Sequence, residues 1–354
     1  MPDSALTTPQ QETPSGVRRT AAITAVGHYL PPDRLTNADL EKLVDTNDEW
    51  IVSRTGIRER RILKDPTKAT AFMCTEAARV ALDKRGVAPE DVDLILVATI
   101  TPDMMLPATA CLVQDALGAT NAWGFDISAA CSGFLYALTV GARFIESGAA
   151  RRVVVIGADT MSRIIDYSDR TTCIIFGDGA GAALLEADHE GFGLIDAVQY
   201  ADGSGGPALN MLGGGSLNPA THATVDAGWH VAQQDGPTVF KRAVVGMAEA
   251  AAEIAERNGL TGDDVDWLVP HQANLRIIDA TARRLGLPPE RVMVTIGHTG
   301  NTTGGTLPIC LAEYESQLKR GDTVVLAAFG GGFTWGATLL KWAYDGTAVP
   351  AAGA

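Results

Sequence analysis

Residues 77–100 read AARVALDKRGVAPEDVDLILVATI, and residues 251–273 read AAEIAERNGLTGDDVDWLVPHQA. Each is a helix, a glycine-containing turn and an apolar strand entered through Asp-Val-Asp. Asp91 and Asp264 stand 173 residues apart. A second match, RVVVIG at 152–157 against TVVLAA at 323–328, has nearly the same spacing, with Val153 and Val324 171 residues apart. Ordinary helix–strand composition does not give two matches at one spacing. The chain therefore reads as an internal duplication, two α/β halves each built around a mostly parallel sheet. Its 354 residues are also more than one core usually organises.

The expected boundaries follow from this pattern. Residues 1–19 are polar and rich in Pro, Thr and Gln, and read as a mobile tail. Residues 20–186 form the N-terminal half, opening on a strand at Thr20–Gly27, with a helix starting at Asn37. Residues 187–354 form the C-terminal half. Within it, the glycine-rich stretch 203–236 is expected to be a long excursion with short strands.

The stretch Phe125–Gly133 (FDISAACSG) ends an apolar run and opens an amphipathic helix carrying Phe134, Leu135, Leu138, Ala142 and Ile145. A cysteine there, Cys131, has its sulfur near unpaired N–H groups and the positive end of the helix dipole, which favour the thiolate nucleophile. Its plainer reading is a small buried residue at a tight junction. A shift of 171 carries Cys131 to position 302, beside Asn301 in HTGNTTGG, which also precedes an apolar helix. His271 follows the strand Trp267–Pro270, and open α/β sheets carry their chemistry at such strand ends. A lone histidine after a buried strand is more often structural, and Asn301 alone would be a turn or cap residue. The shared duplicated frame favours a joint site between the halves. His298 has no such support and reads as structural.

Phe329–Gly336 (FGGGFTWG) closes the strand Val324–Ala328, and its glycines let a backbone N–H approach a reacting oxygen; a tight turn is the alternative. Phe176–Gly181 (FGDGAG) lacks a dinucleotide fingerprint's spacing and reads as close strand packing.

Five scattered cysteines without ligand spacing indicate neither a disulfide framework nor a metal site. Cys74, Cys111 and Cys310 read as helix-core residues and Cys173 as part of a strand-like TTCIIF. The net charge of −14 opposes nucleic-acid binding and requires a local basic patch for any anionic ligand. Arg54 and Arg170 are candidates, with Lys241, Arg242, Arg276, Arg283 and Arg284 as a second group. With neither a signal pattern nor a membrane-length apolar run, the expected location is cytoplasmic and no membrane is involved.

Cys131 in DISAACSGF, His271 in HQANLR, Asn301 in GNTT and the FGGGFTWGA run together resemble the β-ketoacyl-[acyl carrier protein] (ACP) synthase III family of thiolase-fold condensing enzymes. The similarity takes in NADLEKLVDTNDEWIVSRTGIRER (37–60) and IIFGDGAGA (174–182), about residues 20–342 in all.

That resemblance implies a five-layered αβαβα fold and a homodimer whose sheets join across the interface. It implies an acyltransferase that starts type II fatty acid synthesis, condensing a short acyl-CoA such as acetyl-CoA with malonyl-ACP. Cys131 would carry the acyl group, the N–H groups of Cys131 and Gly331 would hold the oxyanion, and His271 and Asn301 would donate to the malonyl thioester oxygen. No metal or redox cofactor is implied.

Trp50, Arg54 and Arg170 match CoA contacts, and Phe240 and Asn274 match the pantetheine tunnel. Gln272, Ala273, Asn274, Leu275 and Arg276 match the ACP-docking segment. Leu106 matches the acyl-pocket residue lent by the partner subunit. That residue is often Phe in acetyl-specific members, so Leu predicts room for a longer or branched acyl group. The rival readings are a same-fold acyltransferase of secondary metabolism acting on a hydroxyl or amine, a non-catalytic binding subunit, and a nucleotide-binding oxidoreductase.

Overall fold

Along Leu94–Ala98 (β2), Leu94, Leu96 and Ala98 face one hydrophobic cluster and Ile95 and Val97 face another. Every residue of this strand is buried, so it lies inside a sheet covered on both faces. This is the organising strand of the first sheet in the computed structural model, which describes residues 19–346. The expected N-terminal tail falls almost entirely outside that range.

The sheet's other strands are Thr20–Tyr29 (β1), Trp123–Ile127 (β3), Arg152–Asp159 (β4) and Gly179–Asp188 (β5), in spatial order β1-β5-β4-β2-β3. The second sheet contains Gly193–Ala201 (β6), Trp267–Pro270 (β7), Thr323–Gly330 (β8) and Thr334–Lys341 (β9), in the order β6-β9-β8-β7. These orders are the same once β6, β9, β8 and β7 are set against β1, β5, β4 and β2. Both sheets are mixed, which corrects the mostly parallel expectation: β2 pairs parallel with β3 and β4, but β5 runs antiparallel to both β4 and β1. Runs of apolar residues identify covered strands without fixing their direction, and β4 reaches β5 through a connection that contains no crossover α-helix.

Helices Thr70–Arg85 (α2) and Thr109–Leu117 (α3) cover the outer face of the first sheet, packing Met73, Ala77 and Val113 onto Ile95, Val154 and Ile156. Gly133–Glu146 (α4) and Thr306–Glu313 (α7) lie between the sheets, where Phe134, Leu138, Leu307 and Leu311 meet Leu96 and Leu326. Gly236–Arg257 (α5) and Leu275–Leu285 (α6) cover the second sheet, packing Met247, Ile254 and Ile278 onto Leu268 and Val325. The result is the five-layered αβαβα arrangement of a thiolase-like fold.

The duplicate of β3 is the one sheet position left unfilled. Residues 292–301 make only isolated bridges, Val292 with Leu268 and Asn301 with Phe176. Asn301 thus follows a short helical turn, Ile296–Thr299, rather than a strand. The TTCIIF segment forms turns, and Cys111 on α3 is exposed rather than in the core. The 203–236 excursion does contain a short two-stranded ribbon, Leu209–Asn210 with Gln233–Gln234. Among the described residues no helix is long and apolar enough to cross a membrane.

Candidate active site

The chain turns sharply where β3 meets α4. Ala130 takes a left-handed φ of 47°, which an alanine adopts at a cost of about 1–2 kcal/mol, and puts Cys131 at the helix entrance. The only other non-glycine residue described with positive φ is Thr303, at 48°. Ala130 and Thr303 are 173 residues apart, so the strained turn is itself duplicated and Cys131 corresponds to Gly304, not to position 302.

Each turn packs on the opposite half. A Cβ built on Gly330, at the end of β8, would lie 2.6 Å from the Cys131 nitrogen. On the other side, the Gly304 N–H donates to the Asp159 carboxylate at the end of β4, at 3.0 Å. Gly330 is what allows the backbone of Cys131 to approach β8.

Cys131, His271 and Asn301 line one cavity of about 480 Å³ and are buried, 7%, 2% and 4% exposed. The His271 N–H of the backbone donates to the Ala327 carbonyl at 2.8 Å, fixing the residue at the end of β7. Both ring nitrogens of His271 lack a partner. Burial pushes its pKa down to about 3, so the imidazole is neutral. The Asn301 side-chain oxygen accepts from the Thr303 N–H at 2.8 Å. That leaves the amide nitrogen to face the cavity, beside the Cys131 sulfur.

The expected resting thiolate is not what these surroundings favour. Burial, then the Asp159 carboxylate, push the Cys131 thiol up to about 12, outweighing a backbone N–H and the Asn301 side chain, which act in the opposite direction. The sequence shows the helix entrance but not the enclosure around it.

Models of the 3-oxoacyl-[acyl-carrier-protein] synthase III family and of its C-terminal region match residues 125–203 and 255–342. The beta-ketoacyl-[acyl-carrier-protein] synthase III of Chlorobaculum tepidum is 59% identical over 326 residues, spanning 91% of this chain and 99% of that relative. This chain belongs to the synthase III family. Its likeness extends to the crystal structure of 3-oxoacyl-[acyl-carrier-protein] synthase III from Aquifex aeolicus VF5, at 44% identity and a TM-score of 0.84, over 91% of this chain and all of that one. The priming beta-ketosynthase of the R1128 polyketide pathway is 35% identical with a TM-score of 0.86, over 95% of this chain and 100% of that one. As a synthase III, the chain is a condensing enzyme of the acyltransferase class.

The cavity of this synthase runs outward to an aromatic and basic rim. Helix Asp48–Thr55 (α1) carries Trp50 and Arg54, and the Arg54 and Arg170 guanidinium carbons lie 5.9 and 5.6 Å from the Trp50 ring centre. Arg276 stands over the Phe240 ring at 4.6 Å. Asn274 caps α6, and its amide donates to the Arg54 carbonyl at 2.9 Å, tying the two rim elements together. Of the second basic group, Arg242 faces Asp202 at 3.2 Å, and Arg284 faces Glu249 and Glu256 at 3.1 and 3.4 Å.

Gln272 cannot be a docking residue. It is fully buried, its amide donating to the Pro270 and Met293 carbonyls and its oxygen accepting from the Thr295 and Ile296 N–H groups. It pins the loop behind His271. Leu106 also lies apart from the cavity, 84% exposed on this chain. Gly331 sits just beyond Gly330, nearest Leu209 and Ala130. His298 pairs with Glu313 at 3.0 Å, in keeping with a structural role. Among the described residues no cluster of three or more His, Cys, Asp or Glu could hold a metal ion.

Sequence reading missed Gly330 and Asp159. Position 330 was one of three adjacent glycines, and only the packing singles it out. Asp159 corresponds to Gly330 at the spacing of 171, a signal visible once the duplicate strands are aligned residue by residue.

Proposed function

We propose that this synthase III starts fatty acid synthesis by condensing a short acyl-CoA with malonyl-ACP, through an acyl group carried on Cys131. The observation that carries the reading is the meeting of Cys131, His271 and Asn301 at the closed end of a cavity whose rim is aromatic and basic. In the first half-reaction the Cys131 sulfur bonds to the thioester carbonyl and the bond to the CoA sulfur breaks. The thiol is protonated at rest, so its proton leaves as attack proceeds. Neutral His271, with both ring nitrogens unpartnered, can take that proton and pass it to the departing CoA sulfur. The N–H groups of Cys131 and Gly331 hold the oxyanion.

In the second half-reaction His271 and the Asn301 amide donate to the malonyl thioester oxygen. The bond to the carboxylate breaks, CO2 leaves, and its electron pair forms an enolate. The enolate carbon attacks the acyl carbonyl, the bond to the Cys131 sulfur breaks, and the thiolate takes up one proton. The products are 3-oxoacyl-ACP, CoA and CO2. Loss of CO2 supplies the carbanion, so the chemistry calls for no metal or redox cofactor.

At the rim, Trp50 between Arg54 and Arg170 is suited to an adenine and its phosphates, and Phe240 and Asn274 to the pantetheine arm. Ala273, Asn274, Leu275 and Arg276 are proposed to meet ACP, with the exposed Arg276 as the cation. A homodimer is proposed through the edge strand β3, whose Trp123 is 54% exposed, and the apolar loop around Met105 and Leu106. Leu106 would then enter the partner's acyl pocket. The proposed location is the cytoplasm, and five free cysteines suit a reducing compartment.

Intact-protein mass spectrometry after incubation with acetyl-, isobutyryl- and hexanoyl-CoA, followed by malonyl-ACP, tests this reading. An adduct on Cys131 that disappears as 3-oxoacyl-ACP forms is the expected result, and it names the primer. An adduct that survives malonyl-ACP but is discharged by an alcohol or amine would move the chain to the acyltransferase reading. Cys131→Ala should form no adduct yet still decarboxylate malonyl-ACP.

A further inference from the structure

The duplication gives this chain a second, inert copy of its nucleophile turn. In the reacting copy, β8 ends in Gly330, and the Cys131 backbone occupies the place a side chain would take. In the inert copy, β4 ends in Asp159, and its carboxylate faces Gly304, the duplicate of Cys131. The Gly304 N–H, equivalent to the Cys131 N–H that faces the reacting oxygen, here donates to a permanent carboxylate oxygen.

Asp159 is fully buried, and six donors converge on it. One oxygen accepts from the Thr99 hydroxyl at 3.0 Å, the Ile100 N–H at 2.8 Å, and the Thr101 N–H and hydroxyl at 3.2 and 3.0 Å. The other accepts from the Gly304 N–H and from the Thr303 hydroxyl. Burial pushes the carboxyl above its ordinary range, while these bonds favour the charged form. The group thus ties the end of β2 in one half to the strained turn in the other.

Thr303 is the link to the chemistry. Its hydroxyl is held by Asp159, and its own N–H donates to the Asn301 side-chain oxygen at 2.8 Å. We propose that Asp159 is a positioning residue for the decarboxylation step: it locks Thr303 in its left-handed conformation, and Thr303 in turn orients the Asn301 amide toward the malonyl thioester. The inference rests on the role given to Asn301 above. Asp159 does not touch substrate; its charge also raises the Cys131 thiol, so removing that charge does not slow acylation, and the loss falls on the half-reaction that uses Asn301.

The test measures the two half-reactions separately in the full chain, using acetyl-CoA for Cys131 acylation and malonyl-ACP for decarboxylation. In Asp159→Asn the acceptor facing the Gly304 N–H and the Thr303 hydroxyl is exchanged or halved. Decarboxylation kcat should fall about a hundredfold, the scale of a misplaced catalytic group, with KM for malonyl-ACP little changed and acylation largely retained. Thr303→Ala, which removes the hydroxyl together with the γ-methyl, should show the same split, and Thr303→Ser, which keeps the hydroxyl without the methyl, should recover most of the lost kcat.

Equal loss of both half-reactions, or full decarboxylation in both Asp159→Asn and Thr303→Ala, would overturn the proposal. Should Asp159→Asn fail to fold, the Thr303 pair alone decides. Asn301→Ala serves as the control: undiminished decarboxylation there would overturn the role of Asn301 itself, and with it the relay.

Discussion

Gly330 presses against Cys131, leaving no room for a Cβ, which would lie 2.6 Å from the cysteine nitrogen. The contact joins the end of β8 in one half to the nucleophile turn of the other, so the reacting backbone is positioned across the duplication. Gly330→Ala must displace one of the two backbones. It should abolish detectable Cys131 acylation and destabilise the fold by about 1–3 kcal/mol, read by adduct formation with acetyl-CoA and by denaturant unfolding. Retained acylation would mean that the turn can yield without losing its geometry.

The Cys131 thiol, pushed up to about 12, predicts a resting enzyme that reacts slowly with simple electrophiles. Alkylation of Cys131 by iodoacetamide should keep accelerating as pH rises through the range 7 to 10. A plateau near neutral pH would show that the helix entrance outweighs burial and the Asp159 charge.

His271 carries a stability signature. Its pKa near 3 in the folded state lies below the ordinary 6.5 expected on unfolding, so below pH 6.5 the unfolded chain binds a proton that the folded chain does not. Stability is therefore lost as pH falls. Between pH 7 and pH 5 the protein should lose about 2 kcal/mol more than its His271→Gln variant, measured by urea unfolding at each pH. Equal losses in the two proteins would place the histidine in a wetter setting than the structure gives it.

Arg276 is exposed and stacks over Phe240 at the rim of a chain with net charge −14. Arg276→Glu should raise KM for malonyl-ACP about tenfold or more while changing KM for acetyl-CoA far less, because charge reversal replaces the cation proposed for the ACP-docking face. Parallel increases in both constants would place Arg276 in the CoA site rather than at the docking face.

The sequence by itself determined the two-fold plan. The repeated Asp-Val-Asp entry to an apolar strand identified the duplicate halves, because a helix and a covered strand each leave a local hydrophobic period. Cys131 and His271 were legible for a related reason, since each follows an apolar strand, whereas Asn301 was reached through a spacing that the structure corrects by two residues.

What only the tertiary structure decided concerns groups whose surroundings come from distant parts of the chain. The helix entrance at Cys131 is local and suggests a thiolate, but the enclosure that keeps the thiol protonated comes from both halves. Gln272 reads as one more polar residue of the rim segment, yet four hydrogen bonds to residues 270 and 293–296 bury it. Asp159 and Gly330 occupy equivalent strand ends, and only packing across the pseudo-symmetric interface shows that one binds the Gly304 N–H while the other lets the Cys131 backbone approach. Periodicity and capping depend on neighbours in sequence, whereas desolvation and close approach depend on neighbours in space, and 144 residues separate Asp159 from the hydroxyl it holds.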